Sequence, residues 1–199
     1  MFDLVPLITT AGYIGLFAII FAESGILIGI FLPGDSLLFT AGFLASQGYL
    51  NIWLLLPIFF SAAFIGDSVG YLIGKKFGPR VFSRPKSFWF DPAYVEKTRI
   101  FFAKHGKKTI VLARFIPIVR TLAPVMAGVG EMTYKTFVTY NFFGALLWGV
   151  GITSLGYLFG NVIPDADRYV IPVVLLIVLV SLTPPAWQFI KESRKNKST

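Results

Sequence analysis

Ionisable side chains interrupt the long apolar stretches of this 199-residue chain at a few positions, where chemistry could occur. Glu23, Asp35 and Asp67 lie in the first half of the chain, and Arg114 and Arg120 lie in the second half. Inside a bilayer, each charge would cost roughly 2.5 to 3.5 kcal/mol at the centre unless it were paired. We therefore expect the acids of the first half to face the arginines of the second.

The two arginines stand six positions apart and flank Pro117. On an unbroken helix their side chains would point about 120° apart, but a proline at this position breaks the helix. Both guanidinium groups could then converge on one anion, and their planar N–H forks suit phosphate oxygens. A purely structural pairing of these arginines with carboxylates remains the alternative.

The three acids could carry protons between the two sides of a membrane. Burial of Glu23 would favour its protonated form and make it a candidate proton carrier, whereas a solvated rim position would not. Asp35, followed by Ser36, could instead cap the start of a helix, and capping is compatible with ion coupling. Asp67 could simply mark the cytoplasmic end of its helix.

The amino-acid composition argues against a soluble protein and against most kinds of enzyme. Hydrophobic residues make up 55% of the chain and charged residues only 14%, against about 25% charged in a typical soluble domain. There is no cysteine and a single histidine, so disulfides, thiolate nucleophiles, a Ser-His-Asp triad and a histidine-rich metal site are not expected. We expect no catalytic residues, no metal and no cofactor, and a membrane-embedded phosphatase is disfavoured for the same reason.

Four uncharged apolar runs indicate membrane-spanning helices. Each run reaches the roughly 18 residues typical of such a helix. The runs are Leu4–Ala22, Ser36–Gly66, Thr136–Pro164 and Tyr169–Ile190. The chain is therefore predicted to be an all-α integral membrane protein, and whether the first run crosses the membrane completely stays open.

The charged residues indicate the topology. The segment from Lys75 to Lys108 holds ten of the 18 basic residues, and the tail after Ile190 is also basic, whereas the connection around Asp165 is acidic. Basic loops stay in the cytoplasm, so the central loop and the C-terminus are predicted to be cytoplasmic. Because topology explains the basic charge, nucleic-acid binding is not expected. Residues 91–106 are predicted to form an amphipathic helix on the cytoplasmic surface.

Two parts of the chain look like copies of one unit. Gly42 and Gly70 recur 86 positions later as Gly128 and Gly156, within Ala-Gly and Gly-Tyr-Leu patterns. The first copy runs into the basic loop and the second into the acidic connection. The pattern therefore predicts an inverted-topology repeat of the kind found in many secondary transporters.

A broken stretch precedes the long helix of each copy. Pro33 and Gly34 interrupt the first copy, and Pro117 and Pro124 interrupt the second. Arms of about 10 residues are too short to span ~30 Å, which favours a re-entrant hairpin in each half. Non-helical backbone at such depth is tolerated only against protein or a water-filled cavity, so these breaks predict a cavity.

The predicted organisation is a single membrane domain over residues 1–191 with a short basic tail. It comprises a first repeat at about 12–79, the basic loop with its amphipathic helix at about 80–108, a second repeat at about 109–161, an added C-terminal transmembrane helix at about 168–190, and a cytoplasmic tail at 192–199.

At the charged positions the sequence resembles the DedA family, the bacterial branch of the VTT-domain or SNARE-associated Golgi membrane proteins. The resemblance covers about residues 12–161. The matching stretches are Phe21-Ala-Glu23-Ser-Gly25, Phe31-Leu-Pro-Gly-Asp35-Ser, Gly66-Asp67 with Gly70-Tyr71 and Gly74, Arg114-Phe-Ile-Pro117 with Arg120 and Pro124, Ala127-Gly128, Asn141, and Gly144 with Trp148.

This resemblance implies a flippase or scramblase in the bacterial inner membrane. Several bacterial members recycle undecaprenyl phosphate with dependence on the proton motive force. The essential acidic pair of the family resembles Glu23 and Asp35, and its essential arginine pair resembles Arg114 and Arg120. We therefore expect proton coupling at the acids and binding of a lipid phosphate, such as a polyprenyl phosphate, at the arginines. Asp67, Ser36 and Asn141 are expected to support them.

Two other functions stay open. A proton-coupled antiporter of small cations or drugs could use the same carboxylates, with the arginines as internal counter-ions. A non-transporting membrane assembly factor could instead recruit partners or anionic lipids through its basic loop. The lipid headgroup, the choice of H⁺ or Na⁺, the direction of transport and the formation of a homo-oligomer are also left open.

Overall fold

A computed structural model describes residues 4–25, 34–82, 100 and 108–162 of the chain. Within these residues the regular structure is entirely helical, which confirms the all-α prediction. The helices are α1 Leu4–Gly25, α2 Gly34–Ser46, α3 Ile52–Phe82, α4 Thr109–Ala113, α5 Pro117–Val129, α6 Tyr134–Ala145, a π-helical turn Leu146–Val150, and α7 Gly151–Val162.

Two helical stretches are long and apolar enough to cross a membrane, Ile52–Gly78 and Tyr134–Val162. The second consists of α6, the π-helical turn and α7 in succession. Large apolar side chains such as Leu72, Leu147 and Leu158 are exposed on these stretches, as expected for helices that face lipid. The predicted amphipathic helix, apart from Ile100, and the predicted C-terminal transmembrane helix lie outside the described residues.

The same local pattern occurs twice along the chain. Both α2 and α5 have 13 residues, and each is followed by a tight turn and then by one of the two long helical stretches. At 1.5 Å per residue, a 13-residue helix is about 20 Å long, which is shorter than the ~30 Å apolar layer of a membrane.

Both short helices end in a Schellman turn, in which one residue adopts a left-handed conformation. After α2 this residue is Gly48, with φ of 78°, and the amide of Tyr49 donates to the carbonyl of Leu44 over 3.1 Å. After α5 it is Glu131, with φ of 57°, and the amide of Met132 donates to the carbonyl of Ala127 over 3.0 Å.

Prolines act differently at the two expected breaks in the second half. The chain is non-helical between α4 and α5, and Pro117 then takes the first position of α5, where its missing N–H has no helical partner to lose. Pro124 lies inside α5 without ending it. The expected interruption at Pro124 is therefore wrong, because the helix continues to Val129.

The chain divides into two compact units. The first unit comprises Met1–Ile30 and Pro57–Val150, and the second comprises Phe31–Leu56 and Gly151–Thr199. Each unit therefore contains one of the two short helices, and each draws on both halves of the chain.

In the first unit, α3 and α5 approach at backbone distance. A Cβ atom on Gly128 would overlap the carbonyl of Tyr71, and one on Gly74 would overlap the carbonyl of Val125. Only glycine permits this contact. Beside it, Tyr71 stacks on Phe137 with ring centroids 4.6 Å apart, and its hydroxyl donates to the carbonyl of Met132. This packing holds α3, α5 and α6 together.

In the second unit, α2 and α7 make the corresponding contact. A Cβ atom on Gly42 would overlap the carbonyl of Thr153, and one on Gly156 would overlap the carbonyl of Phe39. The side chains of Phe39 and Phe159 pack beside these glycines, with ring centroids 5.7 Å apart. In both units, a short helix from one half of the chain packs on a long helical stretch from the other half.

Candidate functional site

Four buried ionisable side chains form two ion pairs in the first unit. Arg114 pairs with Asp67, and Arg120 pairs with Glu23. Every one of these residues is less than 10% exposed. Burying an unpaired charge costs several kcal/mol, and pairing offsets much of that cost. Acids of the first half thus meet arginines of the second, as the charge arithmetic predicts.

Three helices and one break position these four groups. Glu23 lies in the last turn of α1 and Asp67 lies in the middle of α3. Arg114 is the residue directly after α4, in the non-helical segment before Pro117, and Arg120 follows in the first turn of α5. The break between α4 and α5 therefore allows two arginines that are six residues apart to enter one cluster.

Asn141 links Arg114 to the neighbouring helix α3. Its side-chain oxygen accepts a hydrogen bond from Nη2 of Arg114 over 2.6 Å. Its amide nitrogen donates to the carbonyl of Phe64 over 3.0 Å and contacts the hydroxyl of Ser68 at 3.4 Å. Because the α3 backbone fixes the amide group of Asn141, its oxygen is oriented toward the arginine. Asn141 is completely buried.

Gly144 leaves the space that the Arg114 side chain occupies. A Cβ atom at this position would lie 2.8 Å from both Cδ and Nε of Arg114. Any larger residue would push the arginine away from Asp67 and Asn141. Asn141 and Gly144 are three residues apart on α6, so one face of this helix supplies both the partner and the space.

Trp148 lies beside both arginines and is 1% exposed. The centre of its ring is 4.7 Å from the guanidinium carbon of Arg120 and 5.9 Å from that of Arg114. Both distances fall within the range of cation–π attraction. Trp148 belongs to the π-helical turn Leu146–Val150, a type of helical irregularity that is common at functional sites.

Within the described part of the chain, Oε2 of Glu23 and Nε of Arg114 are buried without a hydrogen-bond partner. Buried polar atoms are nearly always hydrogen-bonded to protein or ordered water. An acceptor at Glu23 and a donor at Arg114 are therefore free to bind a proton, water or ligand.

Asp35 and Ser36 belong to the second unit, unlike the other predicted site residues. Both lie in the first turn of α2, where Ser36 is buried and Asp35 is partly buried. A carboxylate in the first turn of a helix interacts favourably with the helix dipole. The structure thus brings Glu23, Asp67, Arg114, Arg120 and Asn141 together in one unit.

Sequence reasoning did not assign a role to Trp148 or Gly144, although both occur in the family resemblance. The feature of the sequence that could have identified them is their spacing. Gly144 follows Asn141 by three residues and Trp148 follows Gly144 by four, which places all three on one helix face. Among the described residues, no group of three or more His, Cys, Asp or Glu side chains could hold a metal ion.

Several known proteins with similar sequences are named as membrane proteins. The VTT domain family matches residues 32–158. Protein DedA of Escherichia coli K12 is 47% identical over 184 residues, covering 92% of this chain and 84% of the relative. An uncharacterised membrane protein of Mycobacterium leprae is 44% identical over 184 residues, covering 90% and 82%. Inner membrane protein YghB of E. coli K12 is 32% identical over 177 residues, covering 89% and 80%. No solved structure matches.

Proposed function

The chain is a membrane protein of the VTT-domain, or DedA, family, and from this premise we propose that it moves a phosphate-bearing lipid across the bacterial inner membrane with coupling to protons. The observation that carries the proposal is the buried pair of arginines beside Trp148, each held by a carboxylate. The family resemblance makes undecaprenyl phosphate the first cargo to test.

Arg114 and Arg120 are the proposed phosphate-binding residues. Guanidinium groups bind phosphate oxygens through two parallel N–H bonds, and such contacts are stronger where water is excluded. In the ion-paired state, Asp67 and Glu23 occupy the positions near the arginines that phosphate oxygens would take. A lipid phosphate therefore has to displace carboxylates in order to bind.

Protons provide a way to make this exchange. When Glu23 or Asp67 accepts a proton, its attraction for its arginine weakens, and the arginine can turn to the phosphate. Oε2 of Glu23 has no described hydrogen-bond partner, so a proton can bind there without breaking another contact. Since an uncompensated charge is costly in a buried site, the number of protons taken up should equal the charge of the bound phosphate group.

Asp35 keeps its proposed role in proton coupling through the family resemblance. Asp35 lies in the first turn of α2, where the positive end of the helix dipole interacts favourably with a carboxylate group. Ser36 is proposed to support it. Asp67 has a larger role here than the sequence reasoning gave it, because it contacts Arg114 directly.

The proposed fold is an inverted repeat with one re-entrant hairpin in each half. Its support is the repeated succession of a 13-residue helix, a Schellman turn and a long helical stretch. In each half, a proline stands at the start of the short helix, with Pro33 directly before α2 and Pro117 at the first position of α5. Each short helix is too short to span the membrane. The long stretches are followed by segments of opposite charge, so the basic central loop and C-terminus are proposed to be cytoplasmic.

A flip assay in liposomes tests the function directly. The purified protein is reconstituted with a fluorescent polyprenyl phosphate, and the fraction of lipid in the outer leaflet is followed after a pH gradient is imposed. We expect fast movement of this lipid and little movement of fluorescent phosphatidylcholine. Arg120→Ala should abolish movement, and Arg120→Lys should slow it strongly, because lysine keeps the charge but loses the planar fork.

Other outcomes would support other functions. Wild-type flipping by the Arg120→Ala protein would show that the assigned site is wrong. Proton-coupled cation flux in liposomes that lack phosphoryl lipid would favour an antiporter. If neither activity occurs, and substitutions in the basic loop impair cells more than substitutions at Arg114, an assembly role becomes the better explanation.

A further inference from the structure

We propose that Trp148 is the positioning residue that holds both guanidinium groups in place when their carboxylate partners exchange for phosphate. The inference rests on the proposed function, because it concerns the same arginines. In this role Trp148 binds neither a proton nor a phosphate oxygen. It instead fixes the positions of the guanidinium groups that bind the phosphate.

A guanidinium group makes contacts in two ways. Its N–H edge donates hydrogen bonds to carboxylate or phosphate oxygens, whereas its flat face can stack on an aromatic ring. Trp148 lies within cation–π distance of both arginines. Glu23 and Asp67 occupy N–H groups of the same arginines. Trp148 therefore does not compete with an incoming anion for those donors.

Contact with the same indole ring also offsets part of the electrostatic repulsion between the two positively charged arginines. While the carboxylates are ionised, each positive charge has a negative partner close by. Protonation of the carboxylates removes that compensation before a phosphate is bound. The negative face of a tryptophan ring is then the neighbouring group that continues to attract both cations. Tryptophan is the aromatic residue for which this attraction is strongest.

The surrounding backbone holds Trp148 firmly. The side chain is almost completely buried, and the next residue, Gly149, passes close to α3. A Cβ atom on Gly149 would lie 3.2 Å from the carbonyl oxygen of Phe59. Gly144 and Asn141 lie on the same helix face as Trp148, about one and two turns earlier respectively. This helical stretch therefore supplies the arginines with three things: a hydrogen-bond partner in Asn141, space beside Gly144, and an aromatic surface in Trp148.

Substitutions that separate size from aromatic character test this role. Trp148→Phe keeps an aromatic face, whereas Trp148→Leu keeps an apolar side chain without one. We expect the leucine protein to need about tenfold more polyprenyl phosphate for half-maximal flipping, and the phenylalanine protein to stay within about threefold of wild type. The matched control is Trp53→Leu, because Trp53 is 79% exposed and lies outside the cluster.

Folding of each variant is checked by gel filtration and circular dichroism. If both proteins fold, equal half-maximal concentrations for Trp148→Leu and Trp148→Phe would overturn the proposal, because shape alone would then explain the role of this residue. Loss of maximal rate in both variants, without a change in half-maximal concentration, would also overturn it.

A fluorescence measurement tests the stacking without relying on transport. The probe is a protein in which Trp53, Trp89 and Trp187 are replaced by phenylalanine, so that only Trp148 emits. We expect Arg120→Gln to change the emission of this protein, because a cation is removed from beside the indole. We also expect vesicles that contain polyprenyl phosphate to change the emission, and vesicles of phosphatidylcholine alone to leave it unaltered.

The two measurements separate the two proposals. If the wild-type protein flips no phosphoryl lipid but Arg120→Gln still changes the emission, the proposed function fails while the stacking stands. If the protein flips phosphoryl lipid but Arg120→Gln and polyprenyl phosphate both leave the emission unaltered, Trp148 does not position the arginines and the inference is wrong.

Discussion

The two units of this protein use the same helix contact for different purposes. In each unit a 13-residue helix packs through glycine against a long helical stretch from the other half of the chain. In the first unit the long helix α3 also carries the buried Asp67, which pairs with Arg114. The position 86 residues later in the second unit is Thr153, which is buried and uncharged. The glycine contact therefore serves as a structural scaffold in both units, whereas the ionised cluster is a feature of the first unit.

This difference separates the residues that build the membrane fold from those that could act on a ligand. Glycines at the contact appear in both units and serve packing alone. Among the residues that the structure describes, the buried carboxylates and guanidinium groups lie in the first unit, and burying them has a free-energy cost that helix packing alone does not require. Substitutions at corresponding positions of the two units can test this separation.

The largest difference is expected between Asp67 and Thr153. Asp67→Ala leaves the Arg114 guanidinium buried without its carboxylate, which should destabilise the protein by about 3 to 5 kcal/mol. Thr153→Ala removes a buried hydroxyl and should cost only about 1 kcal/mol. Unfolding in detergent micelles by a chemical denaturant measures both free energies. Adding Arg114→Leu to Asp67→Ala should recover part of the loss, and similar losses in the two single variants would contradict the comparison.

A smaller and equal effect is expected at the glycine contacts. Gly128→Ala in the first unit and Gly42→Ala in the second both place a methyl group on a backbone carbonyl. Each should lower the free energy of unfolding by about 1 to 3 kcal/mol. Gly15→Ala is the control, because nothing lies within 4 Å of a Cβ atom at that position. A large loss at only one of the two contacts would show that they are not equivalent.

The smallest effects, with opposite signs, are expected at the two Schellman turns. Gly48→Ala places a side chain at a positive φ and should destabilise the second unit by roughly 1 kcal/mol. Glu131→Gly relieves the same conformation in the first unit and should stabilise it by a similar amount. Denaturation midpoints in micelles measure both changes. Stabilisation by Gly48→Ala would rule out the proposed equivalence of the turns.

Several features of the fold could be predicted because they depend on composition. The uncharged run Thr136–Pro164 indicated the long stretch Tyr134–Val162 closely. The run Ser36–Gly66 is instead divided between α2 and α3, and the long stretch Ile52–Gly78 continues through Asp67. Pro117 indicated the break before α5, because proline cannot continue a helix that precedes it. Pro124 shows the limit of this rule, since a helix can absorb a proline when neighbouring groups compensate for the missing hydrogen bond.

The site was less accessible to sequence reasoning, because its members depend on which helices meet. Charge in apolar sequence was enough to select Glu23, Asp67, Arg114 and Arg120, but the pairing of Asp67 with Arg114 follows from the contact between α3 and the α4–α5 break. Trp148 carried no such signal, because an aromatic residue is ordinary in a membrane helix. In the structure, the short distances from its ring to two guanidinium groups distinguish it from other apolar residues.

The balance of charges in the ion-paired cluster affects how the protein responds to an electrical field. A membrane potential does about 2.3 kcal/mol of work on each elementary charge that crosses 100 mV. Two cations and two carboxylates that move together contribute no net work, so the resting cluster can change its depth at any voltage. A voltage-dependent step must then draw its energy from the particles that enter or leave the cluster.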